Sequence, residues 1–436
     1  MREPPSDKER PDSAGLPSMP NGEASAEAAP QRAGTTPAPA PGRISFRRLM
    51  NATGVILEPK FGGPPLPLTA QRMVADVAAG YSTMGNDPVL GAAGEQESGV
   101  DQWLMHLTGA PSAFAVNSSA GAILLVLSSL ANERKVLVSR GELMEANWVL
   151  GLSDIVGKSG ARIVEVGTAH KTRMADFERA FEKYSSLAAI LRIPTPAVQI
   201  EDMTPGPGPS ELARLAHAHD IPLIEDVGNG AVVDLSRYGF EHRSTVADSF
   251  ASGASVVTCS GSLLLTGSQV GLIFGETRWI EPMRRDPLMR AVRLDRLVQA
   301  ALEATLAVHG DPARAVQEIP ALAMLSLAEP LLFERAERLA AELQSRIPGL
   351  AARVVPEGSE RARGALPTSR LSGPLVELRH ERVNGDELDR IARAADPPVL
   401  GMLREGRLVL DPRTLNEREI AVVATSFAAA WATASR

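Results

Sequence analysis

The sequence predicts an α/β protein with a large, mostly parallel β-sheet and a smaller C-terminal α+β module. Short apolar runs alternate with segments of helical periodicity between residues 113 and 274, which is typical of a parallel sheet with helices on both faces. The chain has 436 residues, more than one core normally holds, so a second module is expected. Residues 353–436 have the pattern of such a module, with strands and helices of their own.

The first 43 residues are rich in Pro, Ala, Gly and Ser and contain few bulky apolar side chains. Such a segment buries too little surface to offset its ordering entropy, so residues 1–43 are predicted to be a disordered tail. Residues 44–310 are predicted to form the large α/β domain. Residues 311–436 are predicted to form a helical connection and the small domain.

The predicted strands are apolar runs bounded by turn residues, and they lie at 55–57, 113–116, 135–139, 162–166, 187–193, 222–225, 254–258, 270–274, 375–378, 399–403 and 407–411. The predicted helices have apolar residues at helical spacing, and they lie at 69–79, 101–108, 117–130, 143–158, 174–184, 210–219, within 240–253, 282–308 and 312–347, and at 385–395 and 417–432. Gly80 and Gly109 stand where the first two helices are expected to end, because glycine is a common helix terminator.

Composition excludes several classes of function. A net charge of -7 and an aromatic content of 4% disfavour a general electrostatic grip on nucleic acid and stacking on bases. The single Cys259 leaves no internal disulfide, and the histidines follow no metal-ligand spacing, so no metal is expected. No apolar run is long enough to span a bilayer and the N-terminus lacks an apolar signal core, so no membrane contact and a cytoplasmic location are expected.

Two loops that follow predicted strands carry candidate binding residues. Asn117-Ser118-Ser119 opens a helix, where small residues and the helix N-terminus favour an anion such as phosphate. The same residues also suit a simple helix cap. Asp226 ends a buried strand, where a carboxylate lies in the crevice that parallel sheets use for ligands and can pair with a protonated ring nitrogen. It equally suits a turn before glycines, and the residues alone leave both questions open.

Charged residues elsewhere favour structural roles. Arg140 and Glu142 follow another predicted strand and are expected to form an ion pair with each other. Arg290 and Arg293 lie three apart in a predicted helix and are expected to share its face. They either clamp an anion or are simply solvated, and solvation is the usual state of such residues.

Further motifs occur in order along the chain, and these are Asn51-Ala-Thr-Gly-Val55, Gly80-Tyr-Ser82, Leu107-Thr-Gly-Ala110, Ser139-Arg-Gly-Glu-Leu143, Val164-Glu-Val-Gly-Thr168, Asp226-Val-Gly-Asn-Gly230, Asp286-Pro-Leu-Met-Arg-Ala-Val-Arg-Leu-Asp295, Pro397-Pro-Val-Leu-Gly401 and Gly406-Arg-Leu-Val-Leu-Asp411. Together they resemble the selenocysteine synthase, or L-seryl-tRNA(Sec) selenium transferase, family. That family belongs to the fold-type I pyridoxal phosphate enzymes, which resemble aspartate aminotransferase. The resemblance runs from about Ile44 to the C-terminus and implies at least a dimer with sites near the subunit interface.

The resemblance also implies roles for single residues. Asp226 falls where the family pairs the pyridine nitrogen of pyridoxal phosphate, and Asn117–Ala120 falls on the loop at the phosphate. Arg290 and Arg293 match arginines that the family turns toward its anionic ligand. The family's basic loop after the Gly-Tyr-Ser motif is altered, since Ala93 and Gln96 stand where arginines are expected.

The largest departure from the family concerns its Schiff-base lysine. In the family that lysine follows Ser-Gly-Asp, whereas here Ser260-Gly261 is followed by Ser262 and Leu263. Ser260 is therefore counted with the cofactor-binding residues, and the lysine position is Leu263. No lysine occurs anywhere after Lys183, so no shifted alignment supplies one and no catalytic residue is assigned.

The sequence thus predicts a selenocysteine synthase-like protein that is catalytically degenerate and serves as a binding, regulatory or partner subunit. It would form a homo-oligomer, or a hetero-oligomer with an active paralogue, and tRNA is not expected as a partner. The alternative is an active lyase or transferase that holds pyridoxal phosphate without a covalent link. That enzyme would use a relocated base such as Lys60 or a histidine.

Overall fold

A computed structural model describes residues 46–83, 98–143, 152–194, 206–228, 232–234, 236, 244–261, 269–356 and 373–435. The predicted tail, residues 1–43, lies outside the described residues, as do Ala93, Gln96 and Leu263. Two β-sheets dominate the rest of the chain, one large and mostly parallel and one small and antiparallel. The predicted α/β class is therefore confirmed, while the boundary proposed at residue 310 stays a prediction.

The strands are β1 (Met50–Asn51), β2 (Ser112–Val116), β3 (Lys135–Ser139), β4 (Arg162–Val166), β5 (Leu187–Arg192), β6 (Leu223–Asp226), β7 (Val256–Ser260), β8 (Gly271–Gly275), β9 (Leu350–Val355), β10 (Leu375–His380), β11 (Val399–Leu400), β12 (Met402–Arg404) and β13 (Arg407–Leu410). The helices are α1 (Leu68–Ala79), α2 (Gly99–Thr108), α3 (Ser119–Ala131), α4 (Leu152–Lys158), α5 (Met174–Lys183), α6 (Pro209–Ala218), α7 (Val246–Ala251), α8 (Thr277–Arg285), α9 (Met289–Val292), α10 (Arg296–His309), α11 (Pro312–Glu318), α12 (Pro320–Leu325), α13 (Glu329–Arg346), α14 (Gly385–Arg393) and α15 (Glu417–Ala434). None of these helices is both long and apolar enough to cross a bilayer, within the ranges that the structure describes.

The large sheet has seven strands in the order β2-β8-β7-β6-β5-β3-β4. Only β8 runs against its neighbours, since it pairs antiparallel with both β2 and β7. All the other strands of the sheet therefore point the same way, and their carboxyl ends lie together at one end of the sheet. In such a sheet, ligands bind at that end.

Apolar side chains cover both faces of this sheet. One face carries Phe114, Val136 and Ile224 under α3 and α8, and the other carries Phe274 and Val257 under α2 and α10. These side chains are at most 2% exposed. Burial of one such side chain contributes about 1.5–3 kcal/mol, so the sheet is a stable platform for the residues at its edge.

Local signals place several helix ends as the sequence predicts. The Ser98 hydroxyl accepts the Asp101 amide at the start of α2, and Gly109 ends that helix with a left-handed φ of 72°. Gly80 follows α1, as predicted, but its φ of -156° is extended backbone. The predicted end of α1 is therefore confirmed, but Gly80 does not form a left-handed helix cap there.

Two predicted strands in the smaller sheet region are wrong. Residues 55–57 are buried but do not form a β-strand. The strand in this segment is Met50–Asn51, which pairs parallel with β11. The predicted strand at 399–403 is divided at Gly401, so that β11 joins β1 and β12 joins β13. A Cβ at Gly401 would lie 2.6 Å from Leu410, so the chain changes partners where only glycine fits.

The four-stranded antiparallel sheet, in the order β12-β13-β10-β9, packs with α13, α14 and α15 around a separate apolar core. The strand β9 was not predicted. The N-terminal Asn-Ala-Thr-Gly segment is part of this region, because Thr414 Oγ1 donates to the Asn51 carbonyl at 2.6 Å. Segments far apart in sequence therefore meet there.

Gly271 is the position where the start of α3 lies closest to the sheet. A Cβ at this residue would stand 2.1 Å from the Ser118 carbonyl oxygen, which belongs to backbone and cannot rotate away. Substitution of Gly271 by alanine must therefore push the Asn117–Ser119 loop off β8.

We expect Gly271→Ala to lower the free energy of unfolding by about 1–3 kcal/mol, the usual cost of overpacking a tight site. Denaturant unfolding measures this. Gly157→Ala is the matched control, because a Cβ at this residue near the end of α4 meets nothing within 4 Å. An equal loss of stability in both variants would contradict the close approach at Gly271.

Candidate functional site

Three of the predicted binding segments meet at the carboxyl edge of the large sheet. Asn117 follows β2, Asp226 ends β6 and Ser260 ends β7. In the strand order β2-β8-β7-β6, these ends lie side by side, and β8 begins among them at Gly271. These three residues therefore lie at one end of the sheet, in a region that we call the crevice, and their role in binding stays a prediction.

Asn117-Ser118-Ser119 forms a closed turn at the start of α3. The Ser118 hydroxyl accepts the Gly121 amide at 3.0 Å, as an N-cap does, and donates to Asn117 Oδ1 at 3.2 Å. The Asn117 amide donates to the Val292 carbonyl at 2.7 Å. The side chains of Asn117 and Ser118 are thus engaged in structure, so an anion here would meet the backbone end of α3 rather than the Ser118 hydroxyl.

Asp226 is the most deeply placed charged group of the crevice. The residue is 6% exposed, and its carboxylate accepts the Gly228 amide at 3.1 Å. Burial raises the pKa of Asp226 to about 6, and the Gly228 hydrogen bond opposes that rise. A buried carboxylate of this kind is stabilised by a cationic partner, such as a protonated ring nitrogen.

The backbone around Ser260 is bonded to the segment after β6 and to the segment before β8. The Ser260 amide donates to the Gly228 carbonyl at 2.7 Å, and the next amide, that of Gly261, donates to Val270 at 3.0 Å. These bonds fix the direction in which the chain leaves β7 toward residue 262. Leu263 itself lies outside the described residues.

Behind Asp226, on the opposite face of the sheet, lies a buried ion pair that the sequence did not reveal. Arg192 on β5 pairs with Glu225 on β6, and the Glu225 side chain is only 3% exposed. Side chains alternate between faces along a strand, which separates Glu225 from its neighbour Asp226. The sequence signal for this pair is that Arg192 and Glu225 each lie near the end of a predicted strand, in strands that follow one another along the chain.

The predicted pair between Arg140 and Glu142 is wrong. Arg140 pairs with Glu165 on β4 at 3.0 Å, while the Glu142 carboxylate accepts the Ile193 amide at 3.0 Å. Burial raises the pKa of Glu142 to about 7. The two side chains diverge because the short 3₁₀ turn at Arg140–Leu143 directs them to different strands.

Arg290 and Arg293 lie beside the Asn117 turn, but not on one helical face as predicted. The helix α9 is a single turn that ends at Val292, and Arg293 follows it with extended backbone. Both arginines still line one cavity of about 560 Å³, together with Arg284 and Arg296. The Asn117 side chain donates to the Ala291 carbonyl at 3.4 Å and so links this segment to the crevice.

Arg284 is the arginine of this cavity with the most contacts inside the chain, and Arg296 donates to the Gly80 carbonyl at 3.2 Å. Arg284 pairs with Asp101 at 3.1 Å, donates to the Ala113 carbonyl at 2.8 Å and lies 4.9 Å from the centre of the Phe114 ring. No carboxylate within the described ranges pairs with Arg290 or Arg293. These two are the cavity's available groups for an anion.

The alternative bases are placed away from the crevice or on the surface. Lys60 lies exposed in the turn Pro59–Phe61, which the Glu58 carboxylate closes by accepting the Lys60 amide at 3.0 Å. His217 contacts Ser255 at 3.2 Å, and His219 stacks on Phe181. Both histidines stand at the end of α6 that leads into β6, which is the opposite edge of the sheet.

The residues present fit pyridoxal phosphate in part. The buried Asp226 carboxyl group suits the ring nitrogen, and the start of α3 suits a phosphate. The amine that would bond the aldehyde is missing, because the chain has no lysine after Lys183. The buried carboxyl group and the helix start therefore suit the ring and the phosphate of this cofactor.

Comparisons with known proteins agree with this fold. The family model "SelA: L-seryl-tRNA selenium transferase" matches residues 49–416. An L-seryl-tRNA(Sec) selenium transferase of Geotalea daltonii is 38% identical over 381 residues, covering 87% of this chain and 82% of the relative. One of Alkaliphilus oremlandii is 34% identical over 384 residues, covering 88% and 82%. A solved structure of D-glucosaminate-6-phosphate ammonia-lyase shares the fold, with a TM-score of 0.56, 16% identity and coverage of 90% of this chain and 97% of that one.

We expect Asp226→Asn to stabilise the protein above pH 6 and to leave it nearly unchanged well below pH 4. The folded-state pKa of Asp226, about 6, lies above the ordinary aspartate pKa of 3.8, so the folded state loses stability as the pH rises between these values. The loss is on the order of 3 kcal/mol, and asparagine avoids it.

Denaturant unfolding across this pH range measures the effect. Asp154→Asn on the exposed part of α4 is the control and should show no such pH-dependent gain. A gain in Asp226→Asn that is the same at every pH would argue against a buried ionised carboxylate.

Proposed function

This chain belongs to the L-seryl-tRNA selenium transferase family, and we propose that it is a degenerate member that acts as a binding, regulatory or partner subunit. One observation carries the proposal. After Ser260-Gly261, where the resemblance implies the cofactor lysine, the chain has Ser262 and Leu263, and no lysine follows Lys183. Leucine offers neither a nucleophilic amine nor a base.

The scaffold around this position supports a site that has lost one function and kept another. The sheet order, the buried Asp226 and the close packing of Gly271 on the Ser118 carbonyl all belong to a maintained crevice. A buried carboxylate costs stability, and such a cost is typical of a binding site. We therefore infer that the crevice binds a ligand rather than serving as inert core.

Pyridoxal phosphate is the ligand whose chemistry best fits, held without a covalent bond. Asp226 would pair with the ring nitrogen, and the backbone at Asn117–Ser119 would face the phosphate, with Ser260 beside them. When bound, the cofactor supplies an electron sink for bonds on a substrate's carbon. Asp226 would keep the ring nitrogen protonated, and the Gly228 amide would hold the carboxylate in place.

An anionic group on the second ligand would bind at Arg290 and Arg293. Both line the cavity of about 560 Å³ and have no carboxylate partner in the described part of the chain. Guanidinium groups bind carboxylates and phosphates through paired hydrogen bonds. The same proposal excludes tRNA as the ligand, in line with the net charge of -7.

Association into an oligomer is part of the proposal. Four large apolar side chains lie exposed on α1, α10 and the residue after Gly80, and they are Leu68, Met73, Tyr81 and Leu297. Clustered exposed apolar groups favour association with a second chain. That chain would be another copy or an active paralogue, in the cytoplasm, where a protein with one buried cysteine needs no disulfide.

The alternative remains an active lyase or transferase with a relocated base. The observation that favours it is the raised pKa of Asp226, about 6, because functional sites often hold perturbed groups. Lys60 is the base it would use. This alternative differs from the main proposal in one measurable way, since it requires turnover.

We expect an absorbance titration with pyridoxal phosphate to show a saturable shift that borohydride does not fix to the protein. Mass spectrometry after reduction reads the adduct. Leu263→Lys should convert the shift into a reducible covalent adduct, whereas Leu264→Lys, the neighbouring position, should not.

Three results are informative. A reducible adduct on Lys60 in the natural protein would overturn the degenerate assignment in favour of the alternative. No shift in any variant would leave a partner subunit without cofactor. An adduct in both lysine variants would mean that the crevice does not select the position after Ser260-Gly261.

A further inference from the structure

The far edge of the large sheet is open. The strand β4 pairs with β3 from Arg162↔Lys135 to Val166↔Ser139, and it is the last strand in the sheet's order. No other described strand covers its second edge. The backbone N–H and C=O groups of such an edge are able to pair with an added strand.

A groove runs along this edge, between β4 and α5. The helix presents Asp176, Arg179, Ala180 and Lys183 to it, which are the spacings i, i+3, i+4 and i+7 of one helical face. The other wall is the strand end at Val164–Val166 and the turn that follows. The groove encloses about 650 Å³, enough for several residues of an extended chain.

The turn after β4 is rigid. The Thr168 hydroxyl accepts the Lys171 amide at 3.0 Å and donates to the Lys171 carbonyl at 3.0 Å, and the Thr168 amide also donates to that carbonyl. Gly167 precedes it with a φ of 73° and lies against Thr172. Lys171 is therefore held at one end of the groove.

The groove carries an excess of positive charge. Its two carboxylates are already paired, Glu165 with Arg140 at 3.0 Å and Asp176 with Arg179. The other three cations that line it, Lys171, Arg173 and Lys183, have no carboxylate partner in the described part of the chain. This local excess contrasts with the chain's net charge of -7.

An apolar strip lies along the base of the groove. Val164 is half-buried, Val166 and Ala180 are buried, and the half-buried Tyr184 ring closes the far end. The ammonium groups of Lys135 and Lys183 lie 5.3 and 5.2 Å from the centre of that ring. The groove thus offers apolar contacts and cations together with the hydrogen-bonding edge of a strand.

We propose that this groove binds an extended acidic segment of a partner protein, which pairs with the free edge of β4 as an added strand. The strand edge supplies main-chain hydrogen bonds, Val164 contacts alternate side chains, and the three cations select Asp and Glu. An RNA strand would leave the edge groups of β4 unpaired and would find only Tyr184 for stacking, so the groove favours a peptide.

The binding test uses the full chain and a short fluorescein-labelled peptide of alternating glutamate and threonine. We expect a saturable rise in anisotropy that weakens with salt, and no rise with the matching lysine–threonine peptide. The double variant Arg173→Glu with Lys183→Glu should bind about tenfold more weakly. The control is Arg72→Glu with Arg214→Glu, which makes the same change in net charge at two exposed arginines outside the groove.

A second measurement tests the strand pairing. Hydrogen exchange should show that the peptide slows amide exchange at residues 162–166 and leaves β10 unchanged. Slow exchange of the β4 edge before peptide is added would overturn the proposal, because a second copy would then cover the edge.

In the binding test, equal weakening by the control variant would overturn the site. Binding of an RNA oligonucleotide in place of the peptide would overturn the partner class. Pyridoxal phosphate titrations do not enter either test, so the outcome is independent of the crevice.

Discussion

The approach of the α3 start to β8 fixes the rest of the crevice. The Ser118 carbonyl lies so close to Gly271 that no other residue fits there. This contact places Asn117 beside Val292, and the Val292 carbonyl accepts the Asn117 amide. The start of α3 is therefore held against β8 by a tight backbone contact that the absence of a Cβ atom makes possible, and the Asn117 hydrogen bond ties the arginine segment to it.

Buried charge is distributed on both sides of the sheet's carboxyl edge. Asp226 faces the crevice with one backbone hydrogen bond, while Glu225 on the other face pairs with Arg192. Each arrangement carries a desolvation cost, and among the residues that the structure describes only Glu225 is paired with an opposite charge. Asp226 is thus the carboxylate that faces the crevice. A bound molecule with a cationic group would supply the opposite charge there.

The two edges of the large sheet are treated differently. At β2, Arg284 donates to the Ala113 carbonyl and Val292 accepts the Asn117 amide, so part of that edge is already satisfied. At β4, the described chain supplies a groove with paired carboxylates and three cations beside the edge. An open edge strand can pair with other chains and cause aggregation unless a partner covers it. The open edge at β4 therefore bears on both the stability and the function of the protein.

The sequence by itself determined the α/β class and most strand positions in the large sheet, and it contains no lysine after Lys183. Apolar periodicity and residue identity are local properties, so strands such as 135–139 and 162–166 coincide with β3 and β4. Only the tertiary structure decided the partners of Arg140 and Glu142, the buried pair of Arg192 with Glu225, and the division of residues 399–403 between two sheets. Those outcomes depend on which strands become neighbours and on which face each side chain takes, and long-range packing sets both.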